Sequence, residues 1–190
     1  MASDLKVDNL KKADGTALIT AGVVQSGVTF PAGHVLQVVS STKTTTQSLT
    51  PTGALNWQDI SDLSVGIVPK TGNKVLVLVS VNTGGKQDYN VIYRLVRGST
   101  GIFVGTGSMG SKSASSFHTR SRGDEGPMVN IAGQFLDASP GGDGSATITY
   151  KVQTSGESTQ TILINSSHTE ADNYSFGRTA SSITVMEVQA

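Results

Sequence analysis

A short β-prone run followed by a turn cluster recurs about every ten residues in this chain, the spacing expected of sandwiches and barrels. Helical periodicity is hard to find anywhere. The runs are, in order, "HVLQVVSST" after the Pro31-Ala32-Gly33 break, "WQDISDLSVGIVP" with a kink near Ser61-Asp62, "KVLVLVSVN", "DYNVIYRLVRG", "GIFVGTG", "SSFHTRS", "PMVNIAGQFLD", "ATITYKVQ", "TILINSS" and "SITVMEV". Glycine accounts for 22 of 190 residues, above the usual share of about 7%, and supplies the turns between them. Such a series in one domain of about 155 residues predicts an all-β fold: a two-sheet antiparallel β-sandwich, jelly-roll-like, with strand order left open.

Alternation assigns faces within several runs. In "KVLVLVSVN", Val75, Val77, Val79 and Val81 share one face, with Leu76 and Leu78 on the other. A strand apolar on both faces belongs between two layers or in a subunit interface. In "ATITYKVQ", Ile148, Tyr150 and Val152 point inward and Thr147, Thr149, Lys151 and Gln153 outward. Gly133 suggests a bulge. Gly98-Ser99-Thr100-Gly101 reads as a hairpin turn.

The two ends of the chain differ. "SITVMEV" places Ile183, Val185 and Glu187 on one side and Thr184, Met186 and Val188 on the other, so the last strand is expected inside the folded body. Residues 1–32 carry only scattered apolar side chains between turn signals such as Asp14-Gly15, too few to offset the entropy of ordering the segment. They are read as an extended N-terminal arm that orders against sister subunits or a larger partner. Leu5, Val7, Leu10, Leu18 and Ile19 are its candidate anchoring residues. Residues 33–190 form the sandwich.

Charge narrows the function classes. Fourteen basic and 14 acidic residues cancel, and charged residues make up 15% against a usual level of about 25%. A nucleic-acid binder carries a basic excess or stripe, which is missing here. No run approaches the roughly 18 to 20 apolar residues of a spanning helix, so neither nucleic acid nor membrane insertion is expected. Interface cores are depleted in charge, so the composition favours an oligomer. Cysteine is absent, which excludes disulfides and thiolate metal sites.

Catalytic chemistry finds little purchase. His34, His118 and His168 lie far apart with no ligand-spaced neighbours. The Ser in "SGESTQ" lacks the G-x-S-x-G frame of a nucleophile elbow, and the GxG spacing in "GIFVGTGSMG" is not followed by a helix start. Asp124 with Glu125, and Glu170 with Asp172, read as solvated loop charges, as do "SPGGDGS" and "EADN" when weighed as calcium loops. Arg122-Gly123-Asp124 spells the cell-adhesion tripeptide but is ordinary turn chemistry. No catalytic residue, metal or cofactor is expected. Ring faces stack on sugars, and Tyr89, Phe117 and Tyr174 lie beside polar loops as candidate ligand-facing aromatics. Trp57 and Tyr93 fall in apolar runs and are assigned to the core.

The ending "YSFGRTASSITVMEVQA" resembles that of a β-rich domain found in bacteriophage fibre-like and other virion proteins, especially of phages of marine bacteria. "ALITAGVVQSGVTFPAGHVLQVVSSTKT" is similar to that family's lead-in to its first strand, "YRLVRGSTGIFVG" to its hairpin, and "FLDASPGGDGSATITYKVQ" to a later segment. "LKVDNLKKADGT" resembles the short opening of such chains, and the stretch "MGSKSASSFHTRSRGDEGP" is longer here. The resemblance implies a homotrimeric, jelly-roll-like protein of the virion surface, assembled in the host cytoplasm, and not an enzyme. Its partners would be capsid or tail proteins, reached through the arm, and a host-surface glycan. Alternatives are a capsid decoration (cement) protein and a glycan-binding receptor module; a depolymerase would need carboxylates converging on a groove.

Overall fold

The computed structural model describes residues 9–24, 28, 30–52, 56–85, 89–106, 110–121, 128–156, 161–167, 174 and 176–190. The chain divides into two units, Met1–His34 and Val35–Ala190.

In the first unit, turn chemistry makes structure where composition suggests only an extended arm. Strands β1 (Asn9–Lys11), β2 (Ala17–Thr20) and β3 (Val23–Val24) form an antiparallel meander. The Asp14 carboxylate accepts from the Thr16 amide at 2.8 Å and Gly15 takes φ 84°, which closes the first turn. Ala21 and Gly22, at φ 48° and 78°, close the second in a two-residue hairpin of the primed type. None of the residues in these three strands is fully buried.

The second unit is built from β4 (Val35–Lys43), β5 (Gln47–Leu49), β6 (Gln58–Ile67), β7 (Lys74–Gly85), β8 (Tyr89–Arg97), β9 (Thr100–Ile102), β10 (Phe117–Ser121), β11 (Val129–Asp137), β12 (Ile148–Gly156), β13 (Ile162–Ile164) and β14 (Ser181–Val188). One sheet runs β4-β14-β7, with β11 along the far edge of β7 and β13 and β5 extending the β14 side. The other runs β10-β8-β12-β6, with β9 beside β8. The eight principal strands pair from the outside inward: β4 with β14, β6 with β12, β7 with β11, β8 with β10. A long hairpin nested in this way and rolled up is a jelly roll. The last strand therefore lies between β4 and β7, hydrogen-bonded on both sides.

Between the sheets, the valines of β7 and Ile183 and Val185 of β14 meet Ile60, Leu63, Val65, Tyr93 and Tyr150. Each fully buried side chain of this size contributes about 1.5–3 kcal/mol. The kink in β6 is a bulge. Asp62 takes φ 62°, so Ile60 and Leu63, three apart, both face the core. Gly133 marks no bulge, since β11 pairs with β7 without a register shift. It makes room instead: a Cβ there would lie 2.6 Å from a ring carbon of Phe117.

Polar ties lock the layers. Asp137, 5% exposed, projects from β11 and accepts through both oxygens from the Arg97 guanidinium of β8, at 2.8 and 2.7 Å, while Arg97 also donates to the Ser139 carbonyl at 2.6 Å. The Tyr150 hydroxyl of β12 donates to the same carboxylate at 2.8 Å. Burial raises the Tyr150 phenol above its ordinary range, and the Asp137 hydrogen bond and charge raise it further. Buried Lys43 donates to Thr45 and Ser61, and so fastens β4 to β6. Buried Asn165, at φ 59°, donates to the carbonyls of Lys43 and Thr45 and accepts from Ser181.

Candidate functional site

Three surfaces of the described residues are candidates, one set by strand parity and two lined in large part by residues between β9 and β10. Outward positions of β6, β12 and β8 bring Asp59, Gln153 and Arg94 into one row across the sheet. Gln153 donates to Asp59 at 2.6 Å, Arg94 donates to Gln153 at 2.7 Å, and Lys151 pairs with Asp59 at 2.8 Å. Burial pushes the Asp59 carboxyl up, but the hydrogen bonds from Lys151 and Gln153 and the charges of Lys151 and Arg94 outweigh it and hold the group below the usual carboxylate range. The Arg94 guanidinium lies 4.3 Å over the Trp57 ring. Trp57 is thus half-buried beneath an arginine on the outer surface, not in the core as its apolar neighbours suggest. It shares parity with Asp59 and opposes Ile60.

A polar cleft of about 550 Å³ adjoins this row, lined by Asn90, Ile92, Lys112, Ser113, Ser115 and His118 among others. The His118 Nε2 lies 3.3 Å from the Asn90 side-chain oxygen. Beyond Ser115, a second cleft of about 700 Å³ is apolar and runs along Gly101–Gly105 to Phe135. Here Phe103, 41% exposed, stacks on Phe135 with centroids 5.2 Å apart and meets the edge of Phe117 at 5.9 Å. Phe103 takes φ 53°, a left-handed conformation in which a bulky residue is strained. No signal in "GIFVG" marks that strain.

The structure separates the aromatics singled out in the sequence. Tyr89 is 1% exposed and donates its hydroxyl to the Thr161 carbonyl, so it is a core residue. Its parity with Val91, Tyr93 and Leu95 carried that signal. Phe117 is half-buried against the core and contributes only an edge to the apolar cleft. Tyr174 is fully exposed, at 102%, and Tyr93 is buried as expected. Of the arm residues, Leu10 is exposed on β1 and Leu18 and Ile19 are half-buried on β2. Leu5 and Val7 lie outside the described residues, as do His168, Arg122-Gly123-Asp124, Glu125, Glu170 and Asp172.

Two of the groups weighed for catalysis or metal binding, Asp143 and His34, make local contacts. Asp143 accepts from the Ser145 and Ala146 amides at 2.7 and 2.8 Å, and those bonds hold its carboxyl below the usual range. That is turn chemistry. His34 stacks on Phe30 at 4.5 Å. Among the described residues, no three His, Asp or Glu side chains gather where they could share a cation.

No family model and no curated protein matches this chain. Among solved structures, a chain from "Structure of infectious bursal disease virus Gx strain" is similar at 10% sequence identity and a TM-score of 0.38. The match covers 94% of this chain and 50% of that one, so this chain spans half its length. No functional reading rests on that likeness.

Proposed function

We propose that this chain is a non-enzymatic structural protein of a bacteriophage particle. In this reading it is a homotrimeric, fibre- or knob-like surface protein, held to the capsid or tail by its N-terminal unit, with the sandwich projecting outward. The observation that carries the attachment is the exposure of apolar side chains in the small meander: Val23 is 63% exposed, and Val24 and Leu10 are also open to solvent. Apolar side chains on strands this short gain little from folding alone and gain more when a partner covers them. The resemblance of several separate segments to virion proteins supports the particle as that partner. Deleting residues 2–25 is expected to abolish incorporation into purified particles while leaving a folded trimer; retained incorporation counts against the reading.

A second role is favoured by the strained, exposed Phe103 ring beside a cleft lined with Asn90, Lys112 and His118. A ring face with a polar rim suits a saccharide, so the sandwich would also recognise a host-surface glycan. A glycan array probed with the assembled protein tests this. Binding lost in Phe103→Ala supports the role, and silence across the array removes it.

A further inference from the structure

The outer surface of the sheet opposite the charged row holds a second, uncharged row. Register places Val38 of β4 beside Met186 of β14, Met186 beside Leu76 of β7, and Leu76 beside Leu136 of β11. All four side chains alternate with core-facing neighbours and so point away from the interior. Val38 is 56% exposed and Leu136 47%. Val35 and Val188 continue the apolar surface at one end and Leu78 inside it. Among the outward positions of these four strands, Lys74 alone is charged.

Several polar side chains of the same face are already paired with one another. Ser40 and Thr184 hydroxyls are 2.8 Å apart, and the Asn130 amide donates to both Ser80 and Asn82 at 3.0 Å. Groups paired with each other lose little when water is removed, so covering those positions carries a small desolvation penalty. A surface that is largely apolar, with Lys74 at one end as its single charged outward position on these four strands, offers little grip to a charged partner. It can meet its own copy with little like-charge repulsion, since Lys74 sits at one end of the face and away from the Val38-Met186-Leu76-Leu136 row. Four strands about 4.8 Å apart and eight residues rising about 3.3 Å each give a face of about 500 Å². Two such faces bury about 1,000 Å², the size at which a contact between chains becomes specific.

We propose that this face is the contact through which one copy of the chain binds a second copy. The inference rests on the function proposed above only in that the chain self-associates, since two such faces meeting make a two-fold contact and do not by themselves close a trimer. The test is the mass of the full-length protein by light scattering, in the absence of any particle component. The wild type is expected as an oligomer, and Val38→Glu with Leu136→Glu as a protomer with an unchanged far-ultraviolet spectrum. Leu136→Gln, which alters one half-exposed side chain, is expected to raise the concentration at half-dissociation about tenfold; it carries the test if the double variant fails to fold. Lys151→Gln, on the opposite sheet, should leave the mass unchanged. A dimer lost in the double variant upholds the face and overturns the three-fold reading. A trimer that survives in both Val38/Leu136 variants upholds the three-fold reading and overturns the face, and a monomeric wild type overturns both.

Discussion

The two outward faces of the sandwich share one construction and carry opposite chemistry. On the sheet of β6, β12 and β8, three side chains in register form the row Asp59-Gln153-Arg94, joined by hydrogen bonds and capped by Trp57. On the sheet of β4, β14, β7 and β11, four side chains in register form the row Val38-Met186-Leu76-Leu136. A solvated sheet normally alternates apolar-in with polar-out, and the first face obeys that rule. The second departs from it across four strands. The difference teaches that the chain tells its two surfaces apart: charge, which keeps a face wet, is concentrated on one side, with Lys74 the single charge at the outward positions of the other four strands.

The largest expected effect comes from the tie between the sheets that bear these faces. Asp137 is the shared acceptor for Arg97 and Tyr150, and Asp137→Ala removes the Tyr150 acceptor and leaves Arg97 only the Ser139 carbonyl. Breaking a buried pair from one side destabilises by about 3 kcal/mol, measurable as a lowered urea midpoint. An effect under about 1 kcal/mol would mean the two faces stand without that tie.

The smallest expected effect lies in the charged row itself. Asp59 and Lys151 are largely solvated, so Asp59→Asn is expected to change stability by at most about 1 kcal/mol at neutral pH. The sign with pH follows from the depressed carboxyl. A folded value below the unfolded one stabilises above the unfolded value, about pH 4, and that contribution fades as pH falls through the folded value. Wild type and Asp59→Asn should therefore converge in acid. A gap that widens on acidification would show that the row does not hold its carboxylate as described.

Much of the fold was legible because strand parity is local. Ile183, Val185 and Glu187 read as one face, and β14 places them inward, with Glu187 accepting from the Lys70 amide and the Asn73 side chain. The Ser61-Asp62 kink was legible because polar residues interrupt an apolar alternation. Tyr89 was misplaced by weighing its polar neighbours above its own parity. Trp57 was misplaced by weighing its apolar neighbours in the same way. The apolar row was legible only in fragments, as Leu76 and Leu78 on the second face of one run and Met186 and Val188 on one side of another. It needs the register of β4, β14, β7 and β11, strands up to about 150 residues apart in sequence, and non-local pairing leaves no trace in any single run.

The central claim is that one face is covered by another copy while the other stays open. The chain has no cysteine of its own, so a single introduced thiol reports its own surroundings. Leu136→Cys and His118→Cys place that thiol at exposed positions on the apolar and charged sheets respectively. Labelling both with a bulky maleimide, at a protein concentration where the assembly is intact, compares the faces directly. The account predicts that L136C reacts about tenfold or more slower than H118C, and that the gap closes on dilution to protomers; equal rates at every concentration would contradict it.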